Sequence, residues 1–136
     1  MKEFKYEEIT KKIIGVSMKV HSALGNSFQE VIYQRALEIE LRKQGLSFVR
    51  EFCMPIFYDG NLIGERRVDF FVEGLICVEL KAVINLEPVH FAQARNYLEA
   101  YNVEVGLLIN YRSISLQFKR LENPKYIPNL KSQKSI

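Results

Sequence analysis

Asp69, Glu79 and Lys81 are the residues whose types and spacing could carry chemistry. Two carboxylates with a lysine beside them can hold a divalent cation next to a positive charge. Mg²⁺ prefers carboxylate and water oxygens, and it keeps most of its waters until a substrate phosphate replaces them. An ion held there activates water for attack and stabilises charge on a transferring phosphoryl group. The lysine would orient that water or help neutralise the phosphate, and nearby carboxylates would keep it charged. The competing reading is a solvent-facing strand whose acids merely pair with Lys81, a surface salt bridge worth about 0–1 kcal/mol.

What brings these residues together is the stretch RVDFFVEGLICVELKAV at 67–83. Two short apolar runs flank a Glu73-Gly74-Leu75 turn, the pattern of a β-hairpin. Its even positions, Val68, Phe70, Val72, Ile76, Val78, Leu80 and Ala82, are apolar and form one buried face; the odd face carries Asp69, Glu79 and Lys81. Residues opposite one another in a hairpin share a face, so even must pair with even. A three-residue loop at 73–75 satisfies this, placing Val72 opposite Ile76 and Asp69 opposite Glu79. A two-residue loop would separate the two carboxylates unless a bulge corrected it.

The remaining elements follow in order. Ile9, Ile13, Val16, Val20 and Leu24 recur at helical spacing, which predicts an amphipathic helix over 6–24 with Lys11, Lys12 and Lys19 on its other face. Gly25-Asn26 breaks it. Ser27-Phe28-Gln29-Glu30 reads as a capping box opening a second helix to about residue 44, with Val31, Ala36, Leu37, Ile39 and Leu41 apolar and Gly45 as its stop. Residues 48–58 are β-rich, with Pro55 indicating an edge or a bulge. Asp59-Gly60-Asn61 signals a turn into a strand over 62–71. Pro88 suits the first turn of a helix running to about residue 101. Residues 103–110 form a nearly continuous apolar run, a strand covered on both sides, and 115–121 reads as a last edge strand. The order is α-α-β-β-β-α-β-β: an α/β (α+β) fold with a single mixed sheet flanked by helices. The helix after Lys81 is a crossover, so the strands on either side of it should be parallel neighbours. The tail from residue 122, with Pro124, Pro128 and its lysines, is expected to be a flexible basic extension of a single domain spanning 1–121.

Composition narrows the class. The chain has 136 residues, 48% hydrophobic and 26% charged, which is the profile of one soluble globular domain. No apolar run reaches the roughly 20 residues of a membrane span. The start MKEFKYEEIT has no apolar core of a secretory signal, so a cytoplasmic location follows by default. A net charge of +3 permits nucleic-acid binding without requiring it. Cys53 and Cys77 lie in expected strands without zinc-ligand spacing and read as buried thiols.

Val68-Asp69 followed by Val78-Glu79-Leu80-Lys81 resembles the D…ExK core of the PD-(D/E)xK nuclease superfamily, whose fold is restriction-endonuclease-like. More narrowly, VHSALGNSFQEVIYQRALEIELRKQGL, GERRVDFFVEGLICVELKAV, PVHFAQARNYLEA and GLLINY resemble, in that order, segments of the GxxExxY proteins, a branch of that superfamily. The resemblance implies Asp69 and Glu79 as ligands of Mg²⁺ or Mn²⁺ and Lys81 as the water-orienting base. It implies Glu30 as a first-helix supplement to the metal site, and Gln93 as a polar residue facing the site from the later helix. In the eponymous motif Ser27 stands where the glycine is expected, and Gly25 lies two residues earlier.

Each added residue has a structural alternative. Glu30 is equally a helix-capping acid, Gln93 an exposed helix residue, His21 and His90 satisfied structural histidines, and Tyr33 and Tyr97 packing residues. The leading expectation is a metal-dependent nuclease acting on nucleic acid, DNA ahead of RNA, with a homodimer or partner supplying specificity. The alternatives are a non-catalytic nucleic-acid- or protein-binding regulatory module on the same fold and, more remotely, a hydrolase of a smaller phosphorylated molecule. No phosphate-cradling glycine loop supports the last.

Overall fold

The computed structural model describes residues 6–128. Helix α1, Glu7–Leu24, buries Ile13, Val16 and Val20 along one stripe and leaves Lys11, Lys12 and Lys19 in solvent. It stops at Gly25, whose φ of 80° is left-handed. Helix α2, Glu30–Lys43, buries Tyr33, Gln34, Leu37 and Leu41, while Val31 and Ile39 are exposed. It ends in a Schellman motif: the amide of Gly45, at φ 74°, donates to Arg42 O (3.0 Å) and that of Leu46 to Leu41 O (3.3 Å).

Strand β1, Phe48–Tyr58, turns through Asp59 and Gly60 (φ 50° and 77°) into β2, Asn61–Val72. Two left-handed residues in a two-residue loop are the type I′ geometry that matches strand twist. Then come β3 (Ile76–Lys81), α3 (Pro88–Ala100), β4 (Val105–Asn110) and β5 (Gln117–Glu122). One five-stranded mixed sheet has the order β1-β2-β3-β4-β5. Only the β3–β4 pair is parallel, as the α3 crossover requires. β1 lies at the sheet edge, and its register shifts between Ile56 and Phe57, next to Pro55.

Helices cover both faces. α1 and α2 pack with Phe70, Val72, Ile76, Val78, Leu80, Val105, Leu107 and Ile109. α3, through Ala94, Tyr97 and Leu98, packs with Met54, Val68, Cys77 and Leu121. Each large side chain so enclosed contributes about 1.5–3 kcal/mol relative to exposure. β4 is buried at every position because it lies between both layers.

Four expectations are corrected. Val68 does not share a face with Phe70; it belongs to the α3 layer. The facing strand changes side at the same step, since Phe48 packs on the α1–α2 layer and Phe52 on the α3 layer. Between them Glu51 takes a left-handed φ of 52° and forms no ladder pair with Asp69. Strict alternation therefore fails at one irregular rung. Second, Ser27 is not a helix cap. The N-cap is Gln29, and the Ser27 hydroxyl donates to Asn26 Oδ1 instead. The reciprocal capping box occurs at α3, where His90 Nδ1 accepts the Glu87 amide at 2.9 Å and Glu87 receives the His90 amide. Third, only Cys77 is buried; Cys53 is exposed on the edge strand. Fourth, residues 122–128 are fastened down. Glu122 closes β5, Asn123 is buried with its Nδ2 donating to Leu98 O and Val103 O, and Asn102 holds the backbone of Ile127. Of the expected tail, residues 129–136 lie outside the described residues.

Candidate active site

The hairpin turns through Glu73 and Gly74, both left-handed, with Val72 paired to Ile76, Phe71 to Cys77 and Phe70 to Val78. This is the three-residue loop at 73–75. Continued by one rung, the same register sets Asp69 against Glu79. The ladder stops before that rung, and the Asp69 side chain takes over: its Oδ2 accepts the Leu80 amide at 2.8 Å. Its Oδ1 accepts from Gln34 Nε2, also at 2.8 Å. Gln34 is 5% exposed, and its Oε1 accepts from Arg50 Nη1 at 3.1 Å, so the glutamine has no slack. Desolvation by burial nevertheless raises the Asp69 pKa, against the lowering effect of these two bonds.

Glu79 is buried, and its counter-charge is Arg66 rather than Lys81. Arg66 Nη2 donates to both carboxylate oxygens (2.9 and 3.2 Å), and its guanidinium lies 4.7 Å from the centroid of the Tyr97 ring. Lys81, half-buried at the end of β3, makes no hydrogen bond or ion pair through its ammonium among the described residues. That removes the reading of Lys81 as one half of a surface salt bridge.

Glu30 begins α2 and is exposed, but partial desolvation and then the Asp69 carboxylate raise its pKa, while Lys81 lowers it and Glu79 raises it. Glu30, Asp69, Glu79 and Lys81 thus lie within electrostatic reach of one another. Gln93 is exposed on α3, and no hydrogen bond among the described residues ties it to the acids. His90 caps α3, and His21 Nε2 donates to Ser113 O at 3.0 Å, so both histidines have structural partners. Tyr33 stacks on Tyr111 at 4.5 Å between centroids, and Tyr97 is buried beneath Arg66.

Among the described residues, no three His, Cys, Asp or Glu side chains form a ready-made metal cage. The donor chemistry nevertheless fits a hard divalent cation. Glu30, Asp69 and Glu79 act on one another electrostatically, and Glu30 and Asp69 hold their protons more tightly than usual, from burial first. A 2+ ion at that point would relieve the crowding of like charge.

Sequence reasoning missed Gln34, Arg66 and Arg112. Gln34 follows Glu30 by four residues, the spacing that puts two side chains on one helix face, so a signal for it existed. Arg66 had none, because its reach to Glu79 depends on β2 running on past the end of the β2–β3 ladder. Arg112 lines a cleft of about 550 Å³ together with Phe28, Glu30 and Ala82, and only the fold brings the β4–β5 loop to that place.

The model of the PD-(D/E)XK nuclease superfamily matches residues 7–121, and the chain belongs to that superfamily. None of the curated proteins matches. Among solved structures the chain is similar to one titled "Crystal structure of SSO0001", with a TM-score of 0.51 and 21% identity over 88% of this chain. At that identity the likeness concerns the fold. The match covers 60% of that structure's chain. No helix among the described residues is long and apolar enough to cross a membrane.

Proposed function

We propose that this protein is a metal-dependent nuclease that hydrolyses phosphodiester bonds of DNA or RNA at Glu30, Asp69, Glu79 and Lys81. The observation that supports this reading most directly is that carboxylates from α2, β2 and β3 act electrostatically on one another beside Lys81, whose ammonium makes no hydrogen bond or ion pair among the described residues. An internal salt-bridge network would have consumed Lys81. Mg²⁺ or Mn²⁺ would be held by Asp69 and Glu79 with help from Glu30, and it would supply a Lewis acid for the phosphate and an activated water. Asp69 is oriented for that role by Gln34 and by the Leu80 amide, and Glu79 by Arg66. The Lys81 ammonium would orient the attacking water or neutralise the phosphate as it is attacked in line. We also place the chain in the GxxExxY branch. Tyr33 supports this, because its hydroxyl donates to Gly25 O (2.6 Å) and accepts the Phe28 amide (3.2 Å), tying the glycine to the helix start. In that arrangement Gly25 makes the turn in place of a glycine at 27.

The test is a panel of single- and double-stranded DNA and RNA incubated with Mg²⁺, Mn²⁺ or chelator. Divalent-dependent cleavage is expected, and Asp69→Ala or Lys81→Ala should abolish it with the fold intact. Failure to cut any of the panel, together with absence of divalent binding by calorimetry, would refute the reading. Salt-dependent nucleic-acid binding without cleavage, unaffected by Asp69→Asn, would favour the binding-module alternative.

A further inference from the structure

Beside the acidic cluster a cleft opens between the α1–α2 connection and the β4–β5 loop. Asn26, Phe28, Glu30, Ala82 and Arg112 line it, about 550 Å³. A separate cavity of about 490 Å³, lined by Ile84, Asn85 and Ile114, also has Arg112 in its wall. Glu30 belongs to the proposed metal site, and Ala82 directly follows Lys81, so the cleft begins where the chemistry would occur.

Two of its residues are presented rather than packed. The Arg112 guanidinium is exposed and unpaired among the described residues. Its backbone, in contrast, is fixed: Asn26 Nδ2 donates to Arg112 O (2.9 Å), the Arg112 amide donates to Asn110 Oδ1 (3.4 Å), and His21 holds the next carbonyl, that of Ser113. A cation on a held backbone, without an ion pair among the described residues, is open to a phosphate by charge complementarity. Phe28 is 50% exposed. Its ring meets Tyr33 edge-on at 6.3 Å, and the Tyr33 hydroxyl holds its amide. The ring is therefore fixed without being covered. A lone exposed phenylalanine would be unremarkable; one that shares a cleft with an unpaired arginine and a catalytic-site acid is matched to a ligand with an aromatic face and an anionic link.

We propose, building on the nuclease reading, that this cleft seats one unpaired nucleotide beside the scissile phosphate, its base stacked on Phe28 and its phosphate on Arg112. In a duplex every base face is already covered by its neighbours, so the site selects a single-stranded or unpaired segment. Arg112 acts here as a substrate-binding residue and Phe28 as the discriminating one.

The test uses the full chain in chelator, so that binding is read without cleavage, with fluorescent oligothymidylate, its abasic counterpart and a duplex of equal length. The single strand should bind more tightly than the duplex. Phe28→Ala should weaken binding of the base-bearing strand by between about 5- and 150-fold and leave the abasic strand unchanged. Arg112→Ala should weaken both strands alike and reduce the salt slope by about one phosphate contact. The chain contains no tryptophan, so in Phe28→Trp the new indole is the sole reporter of its kind, and its fluorescence should be quenched on adding oligothymidylate. That variant keeps an aromatic ring at position 28, so it guards against a fold defect in Phe28→Ala. Equal binding of strand and duplex, an unquenched indole, or equal losses on base-bearing and abasic strands would overturn the proposal. If cleavage persists alongside any of those results, the nuclease reading stands without this subsite; if nothing is bound or cut, both fall.

Discussion

Replacing Arg66 with methionine removes the cation from Glu79 while keeping most of the apolar stem. Glu79 is 9% exposed, and Arg66 is its counter-charge, bonded to both oxygens. Breaking a buried pair by removing one partner costs about 3–5 kcal/mol, because the remaining charge stays desolvated. Arg66 is itself about a third exposed, so solvent screening brings the loss below that range, to about 2–3 kcal/mol. Losing the contact with the Tyr97 ring adds about 0.5–1 kcal/mol. The expected total is about 3 kcal/mol, which for a domain of this size corresponds to roughly 10–15 °C in Tm. Urea unfolding followed by circular dichroism measures it. In a double-mutant cycle with Glu79→Gln, most of the loss should disappear, because a neutral amide needs no counter-ion. If Glu79 is also a metal ligand, Mn²⁺ should stabilise Arg66→Met more than the unmodified protein, since the ion no longer competes with the guanidinium. A loss below about 0.5 kcal/mol, or additive effects in the cycle, would refute the account of Arg66 as the partner that holds Glu79.

Three further outcomes follow from the same geometry. Asp69 has a raised pKa, from burial first, so the folded chain binds its proton more tightly than the unfolded chain does. Its contribution to stability is whole below the ordinary carboxylate range, about 4, and is lost as pH rises through the raised value. Unfolding free energy measured from pH 4 to 7 should therefore fall less steeply for Asp69→Asn than for the unmodified protein, and identical slopes would contradict the shift. Gln34→Leu strips a donor from Asp69 Oδ1 and an acceptor from Arg50; we expect a loss of about 1–3 kcal/mol in urea unfolding and weaker divalent binding by calorimetry. Lys81→Ala removes an ammonium that makes no hydrogen bond or ion pair among the described residues, so thermal unfolding should shift little while cleavage is lost.

Much of this arrangement was legible in the sequence where one rule acted alone. Even positions on both sides of Glu73-Gly74-Leu75 forced the three-residue turn, and the helical spacing from Ile9 to Leu24 predicted α1. The apolar run that became β4, set after a crossover helix, predicted the parallel pair. Reading failed where two rules competed. Ser27 and Glu30 have capping-box spacing, but the Gly25 turn and the Tyr33 hydroxyl start the helix two residues later than Ser27 would, which frees Glu30 for the acidic cluster. Alternation placed Val68 with Phe70, but both faces of this sheet are covered by helices, so a side change at Asp69 costs no burial. Arg66 and Arg112 carried no local pattern, because their partners are set by the end of one ladder and the meeting of two loops. Spacing and resemblance together singled out Asp69, Glu79 and Lys81, whereas Glu30 came from the resemblance alone, its spacing being that of a capping box.

The most direct test of the claim that these residues form one metal site is the anomalous signal of manganese in crystals soaked with Mn²⁺. The account expects a single strong peak contacted by Asp69 and Glu79, with Glu30 bound directly or through water and Lys81 nearby, and no such peak in Asp69→Asn crystals. A peak elsewhere on the chain, or none at saturating Mn²⁺, would contradict it.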